Sequence, residues 1–244
     1  MKFNPWSVGH YFYIILPFIV LFLLWSLLKN KDQKTKTIVG YVIGSFALFW
    51  LVARNVDIYL ANGFDPDIIP LQVCHFGCIV VFLSLIFKNK TAATMGFYLN
   101  LPAAYASFIV TDVLAEYDTI FEVLPLSYIF IHLFVVVGAV YPVMFNLIKI
   151  DKTSIKKMFY ILLPLFLIAM AANVYFFTIE REINYFYALN TEGAPFGVFE
   201  GLFEFLIFKD YGFDLTYSLS VFAIGLLGIL IMHKLYKYIN KKRT

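Results

Sequence analysis

Hydrophobic residues fall into seven long runs, separated by short stretches that are rich in polar residues. Each run is long enough to cross about 30 Å of hydrocarbon, which takes roughly 20 residues of α-helix. The predicted spans lie near residues 10–28, 37–60, 67–87, 91–112, 124–148, 156–179 and 215–238. The pattern therefore predicts an all-α polytopic membrane protein, a seven-helix transmembrane bundle that forms a single domain over residues 1–244.

The charge of the connections alternates along the chain. Lysine-rich connections follow the first, third and fifth runs, at 29–36, 88–90 and 149–157, and the C-terminal tail is also basic. The remaining connections are acidic or contain almost no lysine. Because lysine and arginine stay on the cytoplasmic side, the pattern predicts an external N-terminus and a cytoplasmic C-terminus.

The connection between the sixth and seventh runs differs from an ordinary loop. Within 194–208, Phe199, Phe203 and Leu206 share one helical face, while Glu200 and Glu204 share another. This spacing predicts a short interfacial helix that could cover the outer side of the bundle. A re-entrant or simply packed connector explains the same pattern about equally well.

Strongly polar side chains inside the runs share one depth. If the runs cross the membrane alternately, all of these residues fall in its outward half. They are Arg54, Asn55, Asp57, Gln72, Cys74, His75, Asp112, His132, Asn173 and Glu180. Each costs several kcal/mol in hydrocarbon unless it is partnered or lines a wet cavity. We therefore expect one polar chamber near the outer surface.

Composition excludes the soluble classes of protein. The chain is 61% hydrophobic and 14% charged, with a mean hydropathy of +0.81, and no soluble domain could bury that much apolar surface. The net charge of +3 is modest, and the lysines flank the hydrophobic runs, where they contact lipid head groups. A nucleic-acid partner is not indicated. Both cysteines lie in one run, which excludes a secreted disulfide framework.

The third and fifth runs carry the candidate catalytic residues, Cys74 and His132. Each lies about two turns inside the predicted outer boundary. A buried thiol or imidazole is more often a packed core residue, but the matching depth favours a Cys–His pair that could meet across a helix interface. Tyr128, four residues before His132, is placed to contact the imidazole.

Further polar residues are candidates for supporting roles. Gln72, His75 and Asn173 are predicted to donate to an oxyanion or to support the catalytic pair.

A second group is predicted to bind the head group of a lipid. Arg54 and Asp57 are spaced to neutralise each other, although the arginine could instead hold a lipid phosphate. Asn184 and Tyr187 follow the sixth run at the interface and complete this set.

Three of these features together resemble a known family. The Pro-Leu-x-x-Cys of 70–74, the histidine at 132 and the Asn-Tyr-x-Tyr of 184–187 resemble the YwaF-like bacterial integral membrane proteins, which are related to animal transmembrane cysteine acyltransferases. The resemblance covers essentially the whole chain. It implies that Cys74 accepts an acyl chain from a phospholipid and passes it to a lysophospholipid, with His132 as the partner histidine. It also implies a multi-pass protein of the bacterial plasma membrane.

Two other classes of function are compatible with the same residues. A small-solute transporter or ligand-binding membrane protein would use the polar chamber as its binding site. A metal or haem protein would use Cys74, His75, Cys78 and His132, but their spacing matches neither the haem-attachment motif nor a usual zinc site. The acyltransferase is the preferred reading, with no cofactor and no metal expected and with phospholipid as the partner.

Overall fold

Helices make up almost all of the structure, a computed structural model that describes residues 2–109, 112–181, 183–189, 207–208 and 213–241. Within those residues, six helical segments are long and apolar enough to cross a membrane. They comprise α1 Val8–Leu28, α2 Gln33–Asn62, α3 Val73–Phe87 with the turn before it, α7 Val123–Met144, α8 Lys152–Thr178 and α9 Leu215–Lys241. The prediction of an all-α, multi-pass membrane protein is confirmed at this level.

Side-chain caps define where two of these helices begin. The Ser7 hydroxyl accepts a hydrogen bond from the backbone N–H of His10, and α1 starts at the next residue, Val8. In the same way the carboxylate of Asp32 accepts from Thr35 N–H, at 3.1 Å, at the start of α2. Such caps satisfy N–H groups that have no partner inside the helix.

The fourth predicted span is helical but segmented. It consists of α4 Lys90–Met95, a π-helical turn Gly96–Asn100 and α5 Leu101–Ile109; α6 Asp112–Ala115 follows. Pro102 has no N–H and its ring would clash with a carbonyl one turn earlier, so the wider π turn, closed by Leu101 N–H bonding to Gly96 O, accommodates it. The run is not among the six segments that are long and apolar enough to cross a membrane.

The third predicted span, 67–87, agrees with the candidate span Pro66–Phe87, but regular α-helix occupies only its later part. Pro66–Ile68 forms a short 3₁₀ turn, and regular α-helix starts only at Val73. Pro70 therefore lies in irregular chain between the two helical segments and does not begin the α-helix. As a result, Cys74 is the second residue of α3 and does not lie two turns inside a helix.

The chain divides into two compact units, each described by itself below. The first unit comprises Met1–Ile68 and Cys74–Met158, and the second comprises Ile69–Val73 and Phe159–Thr244. In the first unit α7 is the central helix, and it packs against α1, α2, α5 and the π turn.

Two glycines allow α3 and α7 to approach closely. A Cβ added at Gly138 of α7 would lie 2.3 Å from Val81 Cγ1, and one added at Gly77 of α3 would lie 3.0 Å from Val135 Cγ1. Both valines are buried, so neither can move aside freely. We refer to Gly77, Val81, Val135 and Gly138 as the α3–α7 seam.

The second unit contains most of α8, a 3₁₀ turn Tyr185–Tyr187, α9 and a two-residue strand pair. Strand β1 Ile207–Phe208 pairs antiparallel with β2 Phe213–Asp214. Residues 194–206 of the predicted interfacial helix lie outside the described residues. Its last two residues are extended in β1, so the predicted helix does not continue to Phe208.

Candidate functional site

Cys74 lies where α3 begins, at the end of the helix that carries unpaired N–H groups and partial positive charge. Its Sγ is 3.9 Å from the hydroxyl oxygen of Ser107 on α5, within the range of a weak hydrogen bond in which either atom could donate. Cys74 as a residue is half-buried, whereas the second cysteine, Cys78, is completely buried. The Cys74 thiol has a polar partner in Ser107.

Ser107 also connects Cys74 to α7. The hydroxyl of Tyr128 donates to the backbone oxygen of Ser107, with an O–O distance of 3.2 Å. Residue 107 thus contacts Cys74 through its side chain and Tyr128 through its backbone. The two contacts bring α3, α5 and α7 together at one point.

The His132 ring has a defined tautomer. Its Nδ1 lies 2.6 Å from the backbone oxygen of Tyr128, one turn earlier on α7. A carbonyl oxygen can only accept, so in the neutral ring Nδ1 carries the hydrogen and Nε2 carries the lone pair. The predicted contact with Tyr128 is present, since the two ring centroids lie 4.3 Å apart, with the ring planes tilted by 50°. The histidine is therefore oriented as a base with one available nitrogen.

Phe108 and Tyr13 complete this group. The Phe108 ring, fully buried, lies 4.4 Å from the ring of Tyr13 on α1 and 6.4 Å from that of His132, measured between centroids. The Tyr13 hydroxyl is buried and has no hydrogen-bond partner among the described residues. Tyr13 also lies within electrostatic range of both Tyr128 and Cys74. We refer to Tyr13, Cys74, Ser107, Tyr128 and His132 as the polar cluster.

His75 lies beside the polar cluster. Its Nδ1 is buried without a hydrogen bond to any described residue. Arg54 and His132 both lie within electrostatic range of the ring. Its position next to the polar cluster is compatible with the predicted role as a hydrogen-bond donor to the substrate.

The predicted pairing of Arg54 with Asp57 is wrong. The guanidinium forms its ion pair with Asp67 and also donates to the backbone oxygen of that residue, at 3.1 Å. Asn55 adds a hydrogen bond of 2.8 Å to the backbone oxygen of Ile68. Asp57 has no partner among the described residues. Arg54 thus pairs with Asp67 and not with Asp57, which lies three positions away on the same helix. Two side chains of α2, those of Arg54 and Asn55, hold the turn that precedes α3.

The neighbourhood of this ion pair extends to the connection before α7. Tyr117 lies outside the spanning helices, and partial burial raises its pKa above the usual range. The nearby Arg54 guanidinium lowers the pKa of Tyr117, whereas nearby carboxylates raise it, as burial does. Arg54 therefore has its positive charge compensated by protein groups.

The remaining predicted residues lie in the second unit and form a separate set. Asn173, fully buried on α8, donates to the backbone oxygen of Tyr185 at 3.0 Å and accepts from its N–H at 2.6 Å. Gln72 donates to the backbone oxygen of Asn184 at 3.4 Å. Tyr187 ends the same turn, with a positive φ of 50°. These contacts give Asn173 an anchoring role in the fold of this turn.

Two members of the polar cluster were not predicted from the sequence. Ser107 and Tyr13 have no local motif, and Tyr13 is one of 17 tyrosines in a chain that is 20% aromatic. Their only signal is spacing, since Tyr13 lies on the buried face of α1 with His10 and Pro17. In the part of the chain that the structure describes, no three residues of the His, Cys, Asp and Glu types are grouped as a metal site would require.

Comparisons with known proteins assign the chain to a family. No curated protein and no solved structure matches it. The family model that matches is that of the TMEM164 family, a family of transmembrane proteins, and the match extends over residues 5–236. It includes both Cys74 and His132 and nearly the whole chain. On the extent of that match, the chain belongs to the TMEM164 family.

Proposed function

We propose that this protein is a thiol-dependent lipid acyltransferase. It would move a fatty acyl chain from a phospholipid to a lysophospholipid or another acceptor in the outer leaflet, with Cys74 as the residue that carries the acyl group. The observation that supports this most is the polar cluster, in which the thiol of a half-buried cysteine at the start of a helix lies against a serine hydroxyl. The sequence resemblance described above points to the same chemistry.

The orientation of His132 supports its role as the base. Its Nδ1 hydrogen bonds to a backbone carbonyl, which leaves Nε2 as the nitrogen that can take the thiol proton. The thiolate then attacks the ester carbonyl of the phospholipid, and the proton passes to the departing lysophospholipid oxygen. A second lysophospholipid reverses these steps with its own hydroxyl.

The membrane setting forms part of the proposal. In this proposal, the segmented run from Lys90 to Ile109 crosses the membrane as a seventh span. The N-terminus lies outside, and the membrane is a bacterial plasma membrane. The alternation of charge between the runs supports this orientation. A single cysteine placed at Lys34, in a variant without Cys74 and Cys78, should resist a membrane-impermeant maleimide in intact cells. Labelling from outside would reverse the orientation.

Covalent labelling tests the chemistry directly. Protein in proteoliposomes is incubated with a phospholipid whose acyl chain carries a label. Wild-type protein should acquire label that hydroxylamine removes, as expected for a thioester. Cys74→Ala should abolish the label and His132→Gln should slow its appearance, whereas Cys78→Ala, the matched control, should leave it unchanged. If Cys74→Ala still remodels lipid at the wild-type rate, the acyl-enzyme is wrong and a solute-binding or transport role takes its place.

A further inference from the structure

The Tyr13 hydroxyl is buried without a hydrogen-bond partner among the described residues. A buried hydroxyl without a hydrogen bond costs about 1 to 3 kcal/mol, so nearly all such groups in folded proteins have a partner. None of the described residues bonds to this one. Replacing the hydroxyl by hydrogen would cost the ring contact with Phe108 nothing. A tyrosine here, in place of phenylalanine, indicates that something else accepts the hydrogen bond.

The position of Tyr13 narrows down the acceptor. Its ring packs 4.4 Å from Phe108, the residue next to Ser107, and Ser107 contacts the thiol of Cys74. His132 contacts the same phenylalanine ring, at 6.4 Å between centroids. Tyr13, the thiol and the imidazole are therefore arranged around the short segment 107–108. A ligand that reacts with Cys74 would come within reach of the tyrosine.

We infer that the Tyr13 hydroxyl donates a hydrogen bond to the carbonyl oxygen of the acyl group that reacts with Cys74. This inference rests on the proposed function. It makes Tyr13 a further catalytic residue, and it assigns the substrate an ester or thioester carbonyl at the level of Tyr13 in α1.

The assignment gives a balanced reaction. The Cys74 sulfur forms a bond to the carbonyl carbon, and the electron pair of the C=O π bond moves to the oxygen, where the Tyr13 O–H stabilises the negative charge. Collapse of this intermediate restores the C=O bond and breaks the ester C–O bond. The departing alkoxide takes the proton that His132 received from the thiol. No oxidant, reductant or metal is required.

A comparison of two reactions of the same sulfur tests the role of Tyr13. Acylation by a labelled phospholipid passes through an oxyanion, whereas alkylation by iodoacetamide displaces iodide and forms none. Both rates are measured in proteoliposomes, with a variant of the whole chain that lacks Cys78. Tyr13→Phe should slow acylation about 100-fold, the usual loss for one oxyanion donor, and should leave alkylation within about twofold. Tyr11→Phe, an exposed tyrosine on the same helix, is the control and should change neither rate.

The other outcomes are also decisive. Equal slowing of both reactions would show that Tyr13 only supports the fold around Cys74, and no slowing of either would show that it does not bind the carbonyl; each overturns the inference while the acyl-enzyme stands. A wild-type protein that alkylates at Cys74 but is never acylated would instead refute the proposed function, and the role of Tyr13 with it.

Discussion

Two neighbouring stretches of α3 and α7 are built in opposite ways. In the α3–α7 seam, glycines bring the helices so close that an added methyl group at Gly138 would overlap Val81. One turn away, around Cys74, buried polar atoms of Tyr13 and His75 have no hydrogen-bond partner among the described residues. The seam is optimised for packing, whereas the region around Cys74 contains the buried Tyr13 hydroxyl and His75 Nδ1, neither of which bonds to a described residue. Such local loss of stability is typical of a site that a ligand completes.

The largest effect is expected at the seam. Gly138→Ala would force Val81 or the helix backbones to move, and overpacking of this kind costs about 1 to 3 kcal/mol. We expect a lower midpoint of thermal unfolding in detergent and a slower acylation of Cys74, because α3 carries the thiol. Gly228→Ala on α9 is the matched control, since nothing lies within 4 Å of the added methyl group. Equal stability of the two variants would show that the seam is not close-packed.

The next effect concerns the ion pair that holds the turn before α3. Arg54→Met and Asp67→Asn should each lower the free energy of unfolding by about 1 to 2 kcal/mol, a range reduced from that of fully buried pairs because Asp67 is 37% exposed. The double variant should lose less than the sum, since each single change leaves one charge without its partner. Asp57→Asn should have little effect. Additive losses, or a large effect at Asp57, would favour the pairing expected from the sequence.

How far the sequence predicts this fold depends on whether the determining contacts are local. The start of α9 at Leu215 agrees with the predicted span, and α1, with its local Ser7 cap, begins within two residues of its prediction, because hydrophobic length predicts both. The third span lies at Pro66–Phe87, within one residue of its prediction. The start of its regular helix at Val73 was not predicted. It depends on Arg54 and Asn55, which hold the chain at 67–68 from another helix. No periodicity in the third run encodes those bonds.

The same distinction between local and long-range contacts applies to the residues of the site. The Tyr128–His132 contact was predicted because residues four apart on a helix are neighbours. The partner of Cys74 was not, because Ser107 lies 33 residues away on a helix that a π turn displaces. From its depth alone, Asn173 was also predicted to support the catalytic pair, whereas its side chain forms hydrogen bonds with the backbone of Tyr185. Depth in the membrane thus predicts that a polar residue needs a partner, but not which partner it has.

A smaller effect, of opposite sign, is expected inside the polar cluster. Tyr13→Phe removes a buried hydroxyl that bonds to no described residue, so the free energy of unfolding should stay unchanged or rise by up to about 1 kcal/mol. Ser84→Ala on α3 is the matched control, because that hydroxyl is also buried without a partner in the described part of the chain but lies outside the polar cluster. Both variants should unfold at or above the wild-type midpoint, and only Tyr13→Phe should slow acylation. Clear destabilisation by Tyr13→Phe would mean that its hydroxyl is already bonded, and the contrast between the two stretches would fail.

The smallest effect is expected at an exposed ion pair distant from both stretches, at the start of α8. The Asp151 carboxylate accepts from Ser154 N–H at 2.8 Å and from the Lys90 ammonium at 3.2 Å, and these contacts, the backbone one foremost, lower the pKa of Asp151. Because the folded-state pKa lies below the unfolded value of about 4, the stabilisation is complete above that pH and is lost as the pH falls through the lowered pKa. Asp151→Asn should therefore unfold at a slightly lower temperature than wild type at pH 7, and this difference should shrink as the pH falls through the lowered pKa. Lys90→Gln should reproduce only part of the difference, and high salt should remove that part. A difference that does not change between pH 7 and pH 3 would show that the carboxylate charge is not its cause.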